Sequence, residues 1–96
     1  MMEDFFRPQN EPARSIYDAL LNEAEKREGR EPEEWQQAER MAVWRAARDY
    51  AEAHGLIVPT WEQVIESEHS ATGHVDYGAK WAYGVTSAMQ RKEDSK

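Results

Sequence analysis

The stretch from Pro32 to Gly55, PEEWQQAERMAVWRAARDYAEAHG, constrains the fold more than any other part of the chain. Its apolar residues recur with helical period, and no Gly or Pro interrupts it between those two ends. On a 3.6-residue wheel Trp35, Ala38, Ala42, Ala46 and Ala53 fall along one side, and Val43, Ala47, Tyr50, Ala51, His54 and Trp44 continue round from them. This face covers roughly half the circumference, where a helix lying on a surface needs only about 100°. The remaining arc holds Glu34, Gln37, Arg45, Arg48, Asp49 and Glu52. Such a helix needs neighbours on at least two sides. The pattern therefore predicts a central helix over residues 32–54 with the rest of the chain packed around it.

Before it, residues 1–11 read as a flexible arm. Two adjacent aromatics, Phe5 and Phe6, stand out there; either one docks on the domain or the pair anchors a partner. A first helix is expected over 12–28, with Asn10 or Glu11 as N-cap and Pro12 in the first turn, where a missing N–H costs nothing. Ile16, Tyr17, Leu20, Leu21 and Ala24 form its apolar stripe, and Gly29 is the expected left-handed cap. The short link to Pro32 makes the first two helices an antiparallel hairpin. Gly55 ends the second.

Leu56, Ile57 and Val58 precede Pro59 and are expected to be extended. Thr60-Trp61-Glu62-Gln63 is a capping box that opens a third helix over 60–70. Residues 75–86 carry two periods at once. Val75, Tyr77, Ala79, Trp81, Tyr83 and Val85 alternate as in a strand, while Tyr77, Trp81, Gly84, Val85, Ala88 and Met89 share one helical arc behind Asp76 as N-cap. A strand needs a partner, and only Leu56–Val58 is available. A fourth helix over 76–91 is therefore expected, with an α+β fold containing a 75–86 strand as the alternative. Gly78 and Gly84 within that helix imply close approach, expected against the alanine side of the second helix. Residues 92–96 are expected to fray. The fold class is all-α: one four-helix domain over 12–91.

Ninety-six residues support a single core. There is no cysteine, which excludes disulfides, thiol chemistry and zinc–thiolate sites. The opening MMEDFFRPQNEP lacks the apolar run of a signal peptide, and no segment approaches the roughly 20 apolar residues of a membrane span. A cytoplasmic, soluble protein with no membrane association is expected. The net charge of −7 repels nucleic-acid phosphate, so direct nucleic-acid binding is not expected.

Glu66, Glu68, His69, His74 and Asp76 are the one cluster with metal-site or acid–base chemistry. Their spacing matches neither the His pair of zinc hydrolases nor a calcium loop, and helix capping explains the same residues. A metal-dependent enzyme using His69, His74 and Asp76 is thus the weakest reading. Glu39 sits on the apolar side of the second helix, where burial would make it a candidate acid; the blander expectation leaves it in water or paired with Arg40 or Arg14. Neither a phosphate loop nor a nucleophile motif is present. No catalytic residue, metal or cofactor is expected, and the protein is not expected to be an enzyme.

Charge distribution says more. Between Asp49 and Ala79 stand six acids, Asp49, Glu52, Glu62, Glu66, Glu68 and Asp76, and no Lys or Arg. These six are the candidate docking face for a basic partner, since complementary charge raises association rate and specificity. Glu23, Glu25, Glu28, Glu31, Glu33 and Glu34 form a second acidic group, diluted by Lys26, Arg27 and Arg30. Four Trp and four Tyr are many for this length; Trp44 and Tyr83, with Phe5 and Phe6, are the candidate aromatic anchors. The expected function is that of a non-enzymatic protein, monomeric or weakly dimeric, acting stoichiometrically on a larger partner. In its sharp form it is an inhibitor that covers a basic nucleic-acid-binding surface, a profile common among accessory proteins of phages and mobile elements. The alternative is a structural subunit that self-associates through Met41, Trp44 and Tyr83.

Overall fold

The computed structural model describes residues 6–89, and among them are four α-helices and no strand: α1 (Ala13–Ala24), α2 (Pro32–His54), α3 (Trp61–Ala71) and α4 (Tyr77–Ser87). The all-α bundle is what the chain forms. The strand alternative over 75–86 is overturned, because α4 occupies that segment. None of the helices is long and apolar enough to cross a membrane.

Local sequence sets most helix ends. Pro32 opens α2 behind a capping box in which Glu31 N–H donates to Glu34 Oε1 at 3.1 Å. Gly55, at φ 69°, closes α2 in the left-handed conformation, and Leu56 N–H then donates back to Ala51 O at 2.9 Å. Thr60 caps α3 as expected: Gln63 N–H donates to Thr60 Oγ1 at 3.1 Å, and Thr60 N–H to Gln63 Oε1 at 2.9 Å. Asp76 holds the N-cap position of α4, but its side chain makes no capping hydrogen bond.

α1 departs from expectation at both ends. Neither Asn10 nor Glu11 is its N-cap; Pro12 takes that position, and Glu11 Oε1 instead accepts from Ser15 N–H at 2.9 Å. The helix stops at Ala24, short of the expected Glu28. Tighter turns follow, with Arg27 N–H donating to Ala24 O at 3.3 Å and Arg30 N–H to Arg27 O at 3.0 Å. Gly29, at φ 82°, lies inside this turn rather than at the helix end. The physical reason is Arg27: leaving the helix after Ala24 lets its side chain turn back to Glu39 on α2.

The core is Ala13, Ile16, Tyr17 and Leu20 of α1, Val43, Ala47 and Ala51 of α2, Val64 and Ala71 of α3, and Ala79, Trp81, Ala82 and Val85 of α4, closed by Met89. α1 packs on α2 and α4, and α3 packs chiefly on α4. The broad apolar face of α2 is buried along one line only, Glu39, Val43, Ala47 and Ala51. Trp35, Ala38, Ala42 and Ala46 are half-buried, and Ala53 and His54 are exposed. Enclosure is deeper at α4, where Gly78, Ala79, Trp81, Ala82 and Val85 are all buried. Trp81 anchors it: 1% exposed, its indole N–H donates to Val64 O of α3 at 3.0 Å.

The two glycines of α4 do mark close approaches, but not to α2. A Cβ on Gly78 would stand 3.1 Å from Cε2 of Tyr17 on α1, and one on Gly84 would stand 2.9 Å from Cβ of Ser67 on α3. Ahead of α1, in the segment expected as a flexible arm, Phe6 packs on the core, Pro8 is buried, and Arg7 grips Asp18 through Nε at 2.9 Å and Nη2 at 2.7 Å. Phe5 and the tail over 92–96 lie outside the described residues, whereas α4 ends at Ser87 with Ala88 as its C-cap, short of the expected residue 91.

Candidate partner-binding groove

Ion pairs within the fold decide which charges face outward. Glu39 is 3% exposed, not wet, and its partner is neither Arg40 nor Arg14. Arg27 holds it with both ends of the guanidinium, Nε to Oε2 at 2.6 Å and Nη2 to Oε1 at 2.9 Å. The same Nη2 donates to the Tyr77 hydroxyl at 3.1 Å, and the guanidinium lies 3.9 Å over the Trp35 ring. Hydrogen bonding to Glu39 raises the Arg27 pKa further above its already high value. Both carboxylate oxygens are engaged, so this constellation clamps the α1–α2 turn to α2 and to the start of α4. Sequence reading missed Arg27. The hairpin offered one signal: folding the chain about Arg30 sets Arg27 across from the first turns of α2, within reach of a long side chain.

Most other cations are used in the same way. Arg7 pairs with Asp18, Arg14 with Glu11, Lys26 and Arg30 with Glu23, Arg40 with Glu68, and Arg48 with Asp49. Among the described residues only Arg45 and Lys80 have no ion-pair partner. Glu25, Glu28, Glu33, Glu52, Glu62 and Glu66 remain exposed without a cation.

The six acids from Asp49 to Asp76 do not make one face. Glu68 is drawn into a part-buried bridge with Arg40 at 2.7 Å. Asp49 leans on its neighbour Arg48. Asp76 lines an apolar groove beside Phe6, Tyr17 and Val75. Glu66 lines a different groove, and Glu68 a third with Arg27 and Trp35. The exposed, cation-free members are Glu52, Glu62 and Glu66. Nor do the aromatic candidates behave alike. Trp44 is half-buried; its indole N–H donates to Pro59 O at 2.9 Å and Arg48 covers its ring at 5.1 Å, so it fastens the α2–α3 connector. Phe6 packs on the core. Among the described candidates Tyr83 alone is an exposed ring, at 51%.

Glu66 and Tyr83 meet on the two walls of one groove. It runs between α3 and α4, encloses about 530 Å³, and is lined by Glu66, Ser67, Ser70 and Ala71 on one side and Lys80, Tyr83 and Gly84 on the other, with His74 joining them. Gly84 brings the two helices close, so the groove has a firm floor, while Tyr83 supplies an amphipathic anchor at its rim. His69 and Asp76 do not line it, and no three His, Asp or Glu side chains among the described residues are grouped to hold a metal ion. No family model matches the chain, and no curated protein or solved structure is similar to it.

Proposed function

We propose that the chain is a binding protein that acts stoichiometrically by covering a basic surface on a larger partner, of the kind that otherwise holds nucleic-acid phosphates. The α3–α4 groove is its contact site. The observation that carries this reading is the meeting of Glu66 and Tyr83 there, one from the acidic candidates and one from the aromatic ones. The distribution of charge supports it as well: among the described residues most Lys and Arg side chains are tied up in ion pairs within the fold, and several carboxylates are left outward. Glu62, in the first turn of α3, and Glu52, near the end of α2, extend the negative field that steers such a partner. Tyr83 contributes a large apolar contact with a polar tip, the combination found at interface hot spots.

The test is a photo-crosslinking residue in place of Tyr83, used in cells that carry the protein. A basic protein should be captured. Capture should fall as salt rises, and should fall with Glu62→Lys and Glu66→Lys but not with Glu28→Lys, in the α1–α2 turn, which does not line the groove. Capture indifferent to salt and to both reversals in α3 overturns the reading.

A further inference from the structure

A second groove, about 380 Å³, follows the outer side of α2 where it meets the end of α1, and is lined by Glu23, Glu34, Gln37, Ala38, Met41, Ala42 and Arg45. Among the described residues Arg45 is one of two Lys or Arg side chains without an ion-pair partner, although the chain carries a large excess of acid. It projects at one end of a small apolar floor, and Glu34 stands at the other. We infer that this groove seats a second copy of the same chain, α2 against α2 in antiparallel two-fold arrangement.

Self-complementarity carries the inference. A two-fold axis crossing α2 between Glu39 and Arg40 sets Arg45 of each copy opposite Glu34 of the other. The same axis sets Met41 opposite Ala38, and Ala42 opposite Gln37. One symmetry operation thus matches opposite charges and matches the one long apolar side chain with a small one. An interface of this isologous kind must satisfy both requirements with a single patch. Glu23 at the acid end is already held by Lys26 and Arg30, which leaves Glu34 to meet Arg45, and Arg45 arrives there without an ion-pair partner on its own chain. The α3–α4 groove lacks this property: its charges Glu66 and Lys80 stand on two different helices rather than at the two ends of one helix face. The footprint is smaller than the roughly 20–30 residues a side of a standard interface, so the dimer is weak and dependent on concentration. It also revises the self-association expected through Trp44 and Tyr83: Trp44 is fastened to Pro59, Tyr83 is not in this groove, and Met41 alone is retained.

Sedimentation equilibrium of the full chain over a concentration series tests it. The wild-type chain should show a monomer–dimer equilibrium that weakens with added salt. Arg45→Glu should raise the dissociation constant by about tenfold or more, since two symmetric charge pairs are reversed at once. Glu34→Arg should do likewise, and the chain carrying both substitutions should dimerise again, because the pairing is merely exchanged. Glu34 also serves the α2 capping box; should Glu34→Arg alone fail to fold, Arg45→Glu and Ala38→Trp, which fills the seat of Met41, decide the matter. A chain that stays monomeric at every concentration, or a dimer unmoved by Arg45→Glu and Ala38→Trp, overturns the inference.

Discussion

Removing one partner of the Arg27–Glu39 clamp should cost very different amounts depending on which partner goes. Glu39 has a side chain 4% exposed, while that of Arg27 is 39% exposed. Arg27→Met leaves a carboxylate buried without its cation, and breaking a buried pair in this sense costs about 3–5 kcal/mol. Glu39→Gln leaves a guanidinium that can turn into water and can still donate to the amide oxygen, so the loss is near that of a single charged hydrogen bond, about 1.5 kcal/mol. Replacing both by Met removes the ions together and should bring stability back to within about 1 kcal/mol of the starting chain. Urea unfolding at pH 7 reads all three. With an m-value of about 1.3 kcal/mol/M, Arg27→Met should lower the midpoint by roughly 2–4 M and Glu39→Gln by roughly 1 M. Equal costs for the two single substitutions would refute the reasoning, and the clamp would then contribute no more than a surface pair does.

Three further outcomes follow from the packing and the surface pairs. Gly84→Ala gains about 1 kcal/mol of helix propensity but places a Cβ 2.9 Å from that of Ser67; the net should be a loss of about 1–2 kcal/mol, largely recovered in thermal melts by adding Ser67→Gly. Trp81→Phe removes the indole that bonds Val64 O inside the core and should lower stability by about 2–3 kcal/mol in urea unfolding. Hydrogen bonding with Arg7 holds the Asp18 carboxyl below its ordinary range, and hydrogen bonding with Ser15 does the same for Glu11. Both groups stabilise the fold above their unfolded pKa values and lose that contribution as pH falls through the folded ones. Melting temperature should therefore drop from pH 5 toward pH 3, and Asp18→Asn should flatten part of that slope.

Elements governed by neighbours in sequence could be read directly. The Thr60–Gln63 box, the Gly55 cap and the proline opening of α2 depend on a few adjacent residues, and each stands where its local chemistry puts it. In the two-period segment 75–86 the want of a strand partner points to helix, and a helix forms there over Tyr77–Ser87. What depends on residues far apart was harder. The early end of α1 is set by Arg27 reaching Glu39, twelve positions on. The neighbours of Gly78 and Gly84 follow from how α4 seats between α1 and α3, which no spacing within α4 reveals. The acidic run looked like one face because its cations were absent from the run itself. Arg40 and Arg48, both from α2, reach Glu68 and Asp49 and break it up.

The same arginines that hold the helices together are thus what make the exterior negative, and the two roles respond differently to salt. Pairs such as Arg27–Glu39 and Arg40–Glu68 are part-buried and are screened weakly, whereas exposed charges are screened within about 8–10 Å at physiological ionic strength. Raising salt from 0.05 to 0.5 M should then leave the melting temperature level or slightly higher, because repulsion among Glu25, Glu28, Glu33 and their neighbours is relieved while the clamps persist. Partner capture and dimerisation, which use exposed Glu66 and Arg45, should weaken over the same range. A melting temperature that falls in step with capture would mean that the fold itself rests on exposed charge. The division between cations that hold the helices together and carboxylates that meet partners would then fail.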